Sequence, residues 1–290
     1  MAARKKKNIV YPALGQGVRL IDTHCHLDMD HYHEDFTEII DRARKHGVDR
    51  IITVGIDLAS SRTAIRLAEE NPGVFAAIGI HPHNVGNSAD NDYRQLQALA
   101  DNPLVVAYGE IGLDFHYNYA PVEVQIEHFT RQVELARQLE LPLVVHDRDA
   151  HREVLDILTG AGPFPMGGVM HCFSGDSDFA RAVVDLGFHL SIPGVVTFKK
   201  AAVLQEAVRG VPLERIILET DGPFLAPEPR RGRRNEPALL LFTAQKVAEL
   251  KGLDLDEVAA ATTANAEKLF RLPRRQGNGL LMNDESGVTK

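Results

Sequence analysis

Leu20-Ile21-Asp22-Thr23-His24-Cys25-His26-Leu27-Asp28 runs from an apolar segment straight into two histidines two positions apart. Side chains alternate along a strand, so His24 and His26 project to one side and Cys25 to the other. Two imidazoles placed this way can grip one cation. Cys25 is directed into the strand–helix interface, where it serves as a small buried hydrophobe. Outward from this stretch, short apolar runs recur and read as buried parallel strands. After Leu20 to Thr23 come Arg50 to Gly55, Val74 to Ile80, Val105 to Gly109, Leu143 to His146, Val169 to His171, His189 to Ile192 and Arg215 to Glu219.

Segments with apolar residues three and four apart separate the runs, for instance Ile126, Phe129, Val133, Ala136 and Leu139, as expected of helices with one buried face. Asn71-Pro72-Gly73, Asn102-Pro103 and Gly160-Ala161-Gly162-Pro163 supply turns. Eight strands alternating with helices predict an α/β fold, a single-domain (β/α)8 barrel of the TIM type. A doubly wound open sheet has the same periodicity, so the polar residues must decide. His24 and His26, Glu110 within Tyr108-Gly109-Glu110-Ile111-Gly112-Leu113-Asp114, His146, His171, and Asp221 within Glu219-Thr220-Asp221-Gly222-Pro223 follow five different strands. In a barrel, strand C-termini converge on one mouth, whereas an open sheet spreads them along an edge. The number of nitrogen and carboxylate donors suits two cations bridged by Glu110, and two-metal hydrolytic sites hold their ions about 3.5–4 Å apart.

Composition narrows the function. The 290 residues are 44% hydrophobic, and no apolar run is long enough to span a membrane. The basic start, Arg4 to Lys7, lacks a continuous apolar segment after it, so no signal peptide is expected. Two cysteines, Cys25 and Cys172, cannot form a disulfide scaffold, which makes a cytoplasmic location the expectation. Residues 1–17 and 273–290 read as flexible tails around a barrel domain over 18–272. The net charge of −8 argues against a protein that coats nucleic acid with its whole surface, but permits a basic rim around an acidic pocket. Arg148, Arg231, Arg233 and Arg234 are the candidate phosphate contacts on that rim, the last three in a Pro- and Gly-rich loop beyond Asp221. His81 and His83 end the third strand at the same mouth. His81 is placed to contact phosphate or to protonate a leaving oxygen, and His116 and Tyr117 to line the pocket. His31, His33, His46, His128, His151 and His189 read as surface or core residues.

These motifs together resemble the TatD-type metal-dependent deoxyribonucleases of the amidohydrolase-like superfamily. The resemblance runs from Leu20 to Phe270. It includes Asp22-Thr23-His24-Cys25-His26, Gly79-Ile80-His81-Pro82-His83, Gly109 to Asp114, the Gln125…Phe129…Gln132 helix and His171-Cys172-Phe173-Ser174-Gly175. Glu219-Thr220-Asp221, Arg234-Asn235-Glu236-Pro237 and Thr263…Asn265…Leu269-Phe270 complete it. It implies a (β/α)8 barrel, two divalent cations such as Zn, Mn or Mg, and nuclease activity of the 3'-5' exonuclease type on DNA, especially single-stranded ends. It implies neither a membrane nor an obligate protein partner. By the same resemblance one cation sits on His24, His26, Glu110 and Asp221, and the other on Glu110, His146 and His171. Two departures stand out: Gly222, where the family usually has Ala or Ser and where glycine could loosen the backbone, and Asp147, an added carboxylate near the rim.

The chemistry expected is metal-assisted hydrolysis at phosphorus with Asp221 as general base and Glu110 and His81 beside it. Histidine ligands must be neutral, so activity should fall below about pH 6. The alternative is an amide or ester hydrolase of the same superfamily acting on a small molecule. Many of those bridge their cations with a carboxylated lysine, which this chain cannot supply, since no lysine occurs between Lys45 and Lys199. A non-enzymatic metal-binding scaffold would need neither an open coordination position nor a basic rim.

Overall fold

In the computed structural model, which describes residues 9–273, eight parallel strands stand side by side in sequence order. They are β1 (Leu20–Cys25), β2 (Val48–Val54), β3 (Val74–Ile78), β4 (Val105–Asp114), β5 (Leu143–Arg148), β6 (Gly168–Met170), β7 (His189–Ile192) and β8 (Ile216–Leu218). The ring closes beyond the end of β8, where Asp221 N–H donates to His24 O at 2.9 Å and His26 N–H donates to Gly222 O at 2.8 Å. Thr23 Oγ1 donates across the same seam to Leu218 O at 2.9 Å. The open-sheet alternative is thereby excluded.

Helices occupy the outside: α1 (Phe36–Lys45), α2 (Leu58–Glu70), α3 (Asp90–Leu99), α4 (Val122–Gln138), α5 (His151–Ala161), α6 (Ser177–Asp185), α7 (Ala202–Gly210), α8 (Leu240–Lys251) and α9 (Leu255–Leu269). Strand alternation divides the apolar residues into two layers. Ile51, Ala76, Ile78, Val145, Leu190 and Ile216 face the helices and pack with Ala64, Phe129, Val133, Leu158 and Val183. Ile52, Val54, Phe75, Ala77, Val144, Val169 and Ile217 form the inner layer, which is completed by Leu269, Phe270 and Leu272 at and after the end of α9. Two residues beyond Val144, Val169 and Ile217 come His146, His171 and Glu219. The period of two thus carries the same inward face from a dry lower layer to a polar mouth.

The fourth strand extends past its expected end at Gly109 through Glu110 to Asp114. Pairing with β5 is irregular between Tyr108 and Ile111, then resumes from Ile111 opposite Val145 to Asp114 opposite Arg148. Gly112 permits this approach, because a Cβ there would lie 1.9 Å from His146 O. On α4, Gln125, Phe129, Gln132, Val133 and Ala136 share a buried face. The two buried glutamines, Gln125 and Gln132, bind backbone at and beyond strand ends. Gln125 accepts from Asp114 N–H and donates to Asp114 O and Ala120 O, while Gln132 accepts from Ile80 N–H and donates to Ile80 O. On α9, Thr263 donates to Arg19 O and Asn265 donates to Ile216 O, so the helix also staples the β1–β8 seam from below.

The segment expected to be flexible over 1–17 is docked in its described part: Tyr11 stacks on His46, and Gly15 N–H donates to Asp256. Residues 1–8 and 274–290, which hold the rest of the two expected tails, lie outside the described residues. Among the described residues no helix is long and apolar enough to cross a membrane.

His189 opens β7 as a buried side chain whose Nδ1 has no hydrogen-bond partner. Burial, with the charges of Arg215 and Lys268, pushes its pKa down to about 4. The unfolded chain takes up this proton near pH 6.5, so below that pH the unfolded state binds more protons and stability falls as pH falls. Urea unfolding at pH 7 and pH 4.5 should therefore show a smaller acid-induced loss in His189→Gln than in the unsubstituted protein, by roughly 2–3 kcal/mol. Equal losses would place the acid sensitivity elsewhere.

Candidate metal centre

The side chains that the sequence scatters from position 24 to 221 meet around one carboxylate. Glu110, buried on β4, turns one oxygen to each of two groups. Oε2 lies 3.4 Å from His24 Nε2 and 3.8 Å from His26 Nε2. Oε1 lies 2.7 Å from His146 Nδ1 and 3.5 Å from both His171 Nε2 and His81 Nε2. Asp221 Oδ1 stands on the first side, 3.6 Å from His26 Nε2 and 4.0 Å from His24 Nε2, and it reaches His171 Nε2 at 4.0 Å. Every residue expected as a ligand is therefore in this cluster. Donor atoms of His24, His26 and Asp221 lie within 4.8 Å of one another, as do those of His81, Glu110 and His146.

Hydrogen bonds behind the cluster fix which nitrogen faces it. His171 Nδ1 meets Glu219 Oε2 at 2.9 Å, His26 Nδ1 meets Val54 O at 3.2 Å, and His146 Nε2 meets Asp114 Oδ2 at 3.2 Å. When each of these nitrogens donates its proton outward, the other nitrogen points a lone pair inward. Nitrogen lone pairs and carboxylate oxygens aimed at one small volume are the donor set divalent cations take, so the residues present fit a metal. His81 is wired in the opposite sense. Its Nδ1 accepts from His83 N–H at 3.1 Å, so the neutral ring carries its proton on Nε2, toward Glu110 and His146. His81 is therefore a donor into the site.

Sequence reasoning does not single out Glu219 or Asp114, and both are organising groups. Glu219 also accepts from Cys172 N–H, and Asp114 also accepts from His83 Nε2 and from the backbone N–H groups of His116 and Tyr117. Both belong to motifs visible in the sequence, but only the fold shows that they reach histidines. Gly222 does not loosen its surroundings. A Cβ there would lie 2.4 Å from Tyr32 Oη, which donates to Asn235 O, so glycine allows close packing under Asp221. Asp147 is buried and accepts from Ala150 N–H, with His151 Nδ1 2.7 Å away. It serves the start of α5 and adds no free charge to the rim. Cys25 Sγ is buried beside Gly222 O and Tyr32 Oη.

The arginines divide. Arg148, Arg231 and Arg233 are exposed, with Arg148 over the Tyr117 ring and Arg231 over Phe198. Arg234, expected to contact phosphate, is committed elsewhere: it grips both oxygens of Asp35, at 2.8 and 2.5 Å, and donates to His31 O. It braces the loop.

Electrostatics follow from the crowding. Burial alone would raise Glu110, but His171, His81 and the bonds from His146 and His24 hold it well below the usual carboxylate range. Burial likewise opposes ionisation of Asp221, and His26 and His171 outweigh it. Burial would lower His146, yet Asp114 and Glu110 push it up to about 9. In the same way Glu219 and Glu110 overcome burial to push His171 up to about 10. His81 is driven down to about 4, chiefly by burial.

The chain matches the family described as TatD related DNase over residues 21–271. The uncharacterized metal-dependent hydrolase YabD of Bacillus subtilis is 42% identical over 253 residues, covering 87% of this chain and 99% of its own. A protein of Erwinia billingiae named 3'-5' ssDNA/RNA exonuclease TatD is 36% identical over 260 residues, covering 88% of this chain and 100% of its own. Among solved structures, YjjV, a TatD homologue from Escherichia coli K12, aligns with a TM-score of 0.84 at 31% identity, covering 88% of this chain and 99% of that one.

With His146 and His171 charged at pH 7, cation uptake must displace their protons. Calorimetry of Zn²⁺ binding in buffers of different ionisation enthalpy should report release of about two protons at pH 7, with affinity rising as pH rises. In Glu219→Gln the release should drop toward one, and affinity should fall about 10- to 100-fold. Proton-neutral binding, or unaltered affinity in the variant, would refute this wiring.

Proposed function

The chain belongs to the TatD-related DNase family of metal-dependent hydrolases, and from that premise we propose that it removes nucleotides from the 3' ends of single-stranded DNA using two divalent cations, which Glu110 would help to hold. One observation carries the reading: one oxygen of a single buried carboxylate lies nearest His24 and His26, and the other lies nearest His146, His81 and His171. His24, His26 and Asp221 would hold one cation, and His146 and His171 the other, with Zn, Mn and Mg as candidates. The relative named as a 3'-5' exonuclease supports the polarity. The barrel over residues 18–272 would form the catalytic domain.

Divalent cations held there supply Lewis acidity toward a phosphoryl oxygen and make water a nucleophile at neutral pH. Asp221 is ionised and accepts the proton of the attacking water at Oδ1. Its φ of 55° places it in the left-handed region, and that conformation is held by bonds from its N–H to His24 O and from Phe224 N–H to its own O. His81 presents Nε2–H and donates a hydrogen bond to the oxygen that gains charge as the P–O bond breaks. Arg148, Arg231 and Arg233 neutralise phosphates further along the strand, and Arg234 keeps their loop in place.

Protein loaded with Mn²⁺ and given a 5'-labelled single-stranded oligonucleotide should produce a ladder that shortens from the 3' end. The ladder should vanish with a chelator and in His24→Ala. Cleavage confined to a panel of amides and carboxylic esters would overturn the assignment. Separately, the double variant Arg231→Ala/Arg233→Ala should weaken oligonucleotide binding and flatten the plot of log affinity against log salt. The slope should change by about 0.7 for each phosphate that the variant no longer neutralises. A slope identical to that of the parent protein would remove these arginines from the substrate path.

A further inference from the structure

The exposed tyrosine and phenylalanine rings among the described residues are Tyr117, Tyr119 and Phe224, and all three stand on the loops that follow β4 and β8 at the barrel mouth. Tyr117 and Tyr119 are 48% and 68% exposed, and their rings lie parallel, 1° apart, with centroids separated by 5.6 Å. Asn118 between them takes a φ of 49°, which brings residues 117 and 119 round to the same side. The pair is anchored, not loose. Tyr117 N–H donates to Asp114 Oδ1, and Asp114 Oδ2 is 3.2 Å from His146 Nε2. The edge of His83 meets both rings, at 4.7 Å for Tyr119 and 5.6 Å for Tyr117, and the Arg148 guanidinium sits 4.8 Å over Tyr117. The two phenol rings remain 48% and 68% exposed despite the contacts from His83 and Arg148, and they stand one carboxylate away from the cation-binding cluster.

We infer that Tyr117 and Tyr119 form a platform on which unpaired bases of the substrate stack while Arg148 holds the adjoining phosphate. The inference rests on the proposed nuclease reading and adds to it the feature that selects single strands. A base has a π-face whatever its sequence, so such a platform recognises unpaired nucleotides without reading them, whereas bases inside a duplex are stacked on each other and unavailable. Parallel rings backed by His83 lose little freedom on binding, and a cation beside one of them suits a phosphate–base step.

The test compares two fluorescent probes, a single-stranded thymidine octamer and the same octamer with abasic sites at its last three positions, on the cation-loaded full chain. Tyr117→Ala and Tyr119→Ala should each weaken octamer binding about tenfold and leave the abasic probe within about twofold. Tyr117→Phe and Tyr119→Phe, which keep the ring, should restore octamer affinity, a rescue that a structural role for the hydroxyls would not produce. The parent protein should prefer the octamer to the abasic probe and to a blunt duplex. Equal affinity for octamer and abasic probe, or equal weakening of both in the alanine variants, would overturn the platform while leaving the nuclease reading intact. Failure of the parent protein to bind or cut either probe would remove that reading and this inference together.

Discussion

A carboxylate buried among imidazoles at the top of a closed ring is the constraint that governs this molecule. An isolated ionised Glu110 in the barrel mouth would be prohibitively costly to desolvate, since burying an unpaired charge costs several kcal/mol after relaxation. The protein meets that cost with five histidines drawn from β1, the turn after β3, β5 and the end of β6. His81 and His146 come from the segments beside β4, but His24 and His26 start three strands away and reach Glu110 only when the sheet curls round. Closure of the ring and assembly of the site are therefore one event, and the residues of the β8–β1 seam serve both: Asp221 donates its N–H to His24 O while its carboxylate faces His26.

Around that centre the protein alternates donors and acceptors with little slack. Glu219 and Asp114 each face a histidine and backbone N–H groups at once, and each is held by a strand end. Gln125 and Gln132 extend the arrangement to α4, so the helix packed on β4 also holds the end of that strand and the turn after β3. A shift of α4 would move Asp114, and through it His146. The orienting groups lie on regular elements or their immediate ends, which is what precise placement of a cation requires.

Much of this was legible in the sequence because the barrel obeys simple periodicities. Two-residue alternation put His24 with His26, and apolar runs at regular spacing predicted eight strands and the convergence of Glu110, His146, His171 and Asp221. What stayed hidden was settled by contacts across distant segments. The extension of β4 to Asp114 depends on Gly112 slipping past His146 O, which no local propensity encodes. The commitment of Arg234 to Asp35 spans 199 positions, so its loop composition looked like a phosphate site. Gly222 reads as a point of looseness from the sequence because Tyr32, which fills the space beneath it, lies nearly two hundred residues earlier. The polarity of His81 depends on a single backbone N–H two residues on, visible only once the turn is built.

The last helix bears on how the chain is made. Leu269, Phe270 and Leu272 belong to the inner apolar layer, and Arg50, buried at the start of β2, is neutralised by Glu267 at 2.8 Å. A nascent polypeptide emerging from the ribosome therefore exposes an unplugged apolar lumen, with Arg50 paired to Asp49 alone, until Glu267 to Leu272 appear. Completion of the cylinder waits for its stopper, and a chain stalled short of Leu272 would present sticky hydrophobic surface to chaperones and proteases.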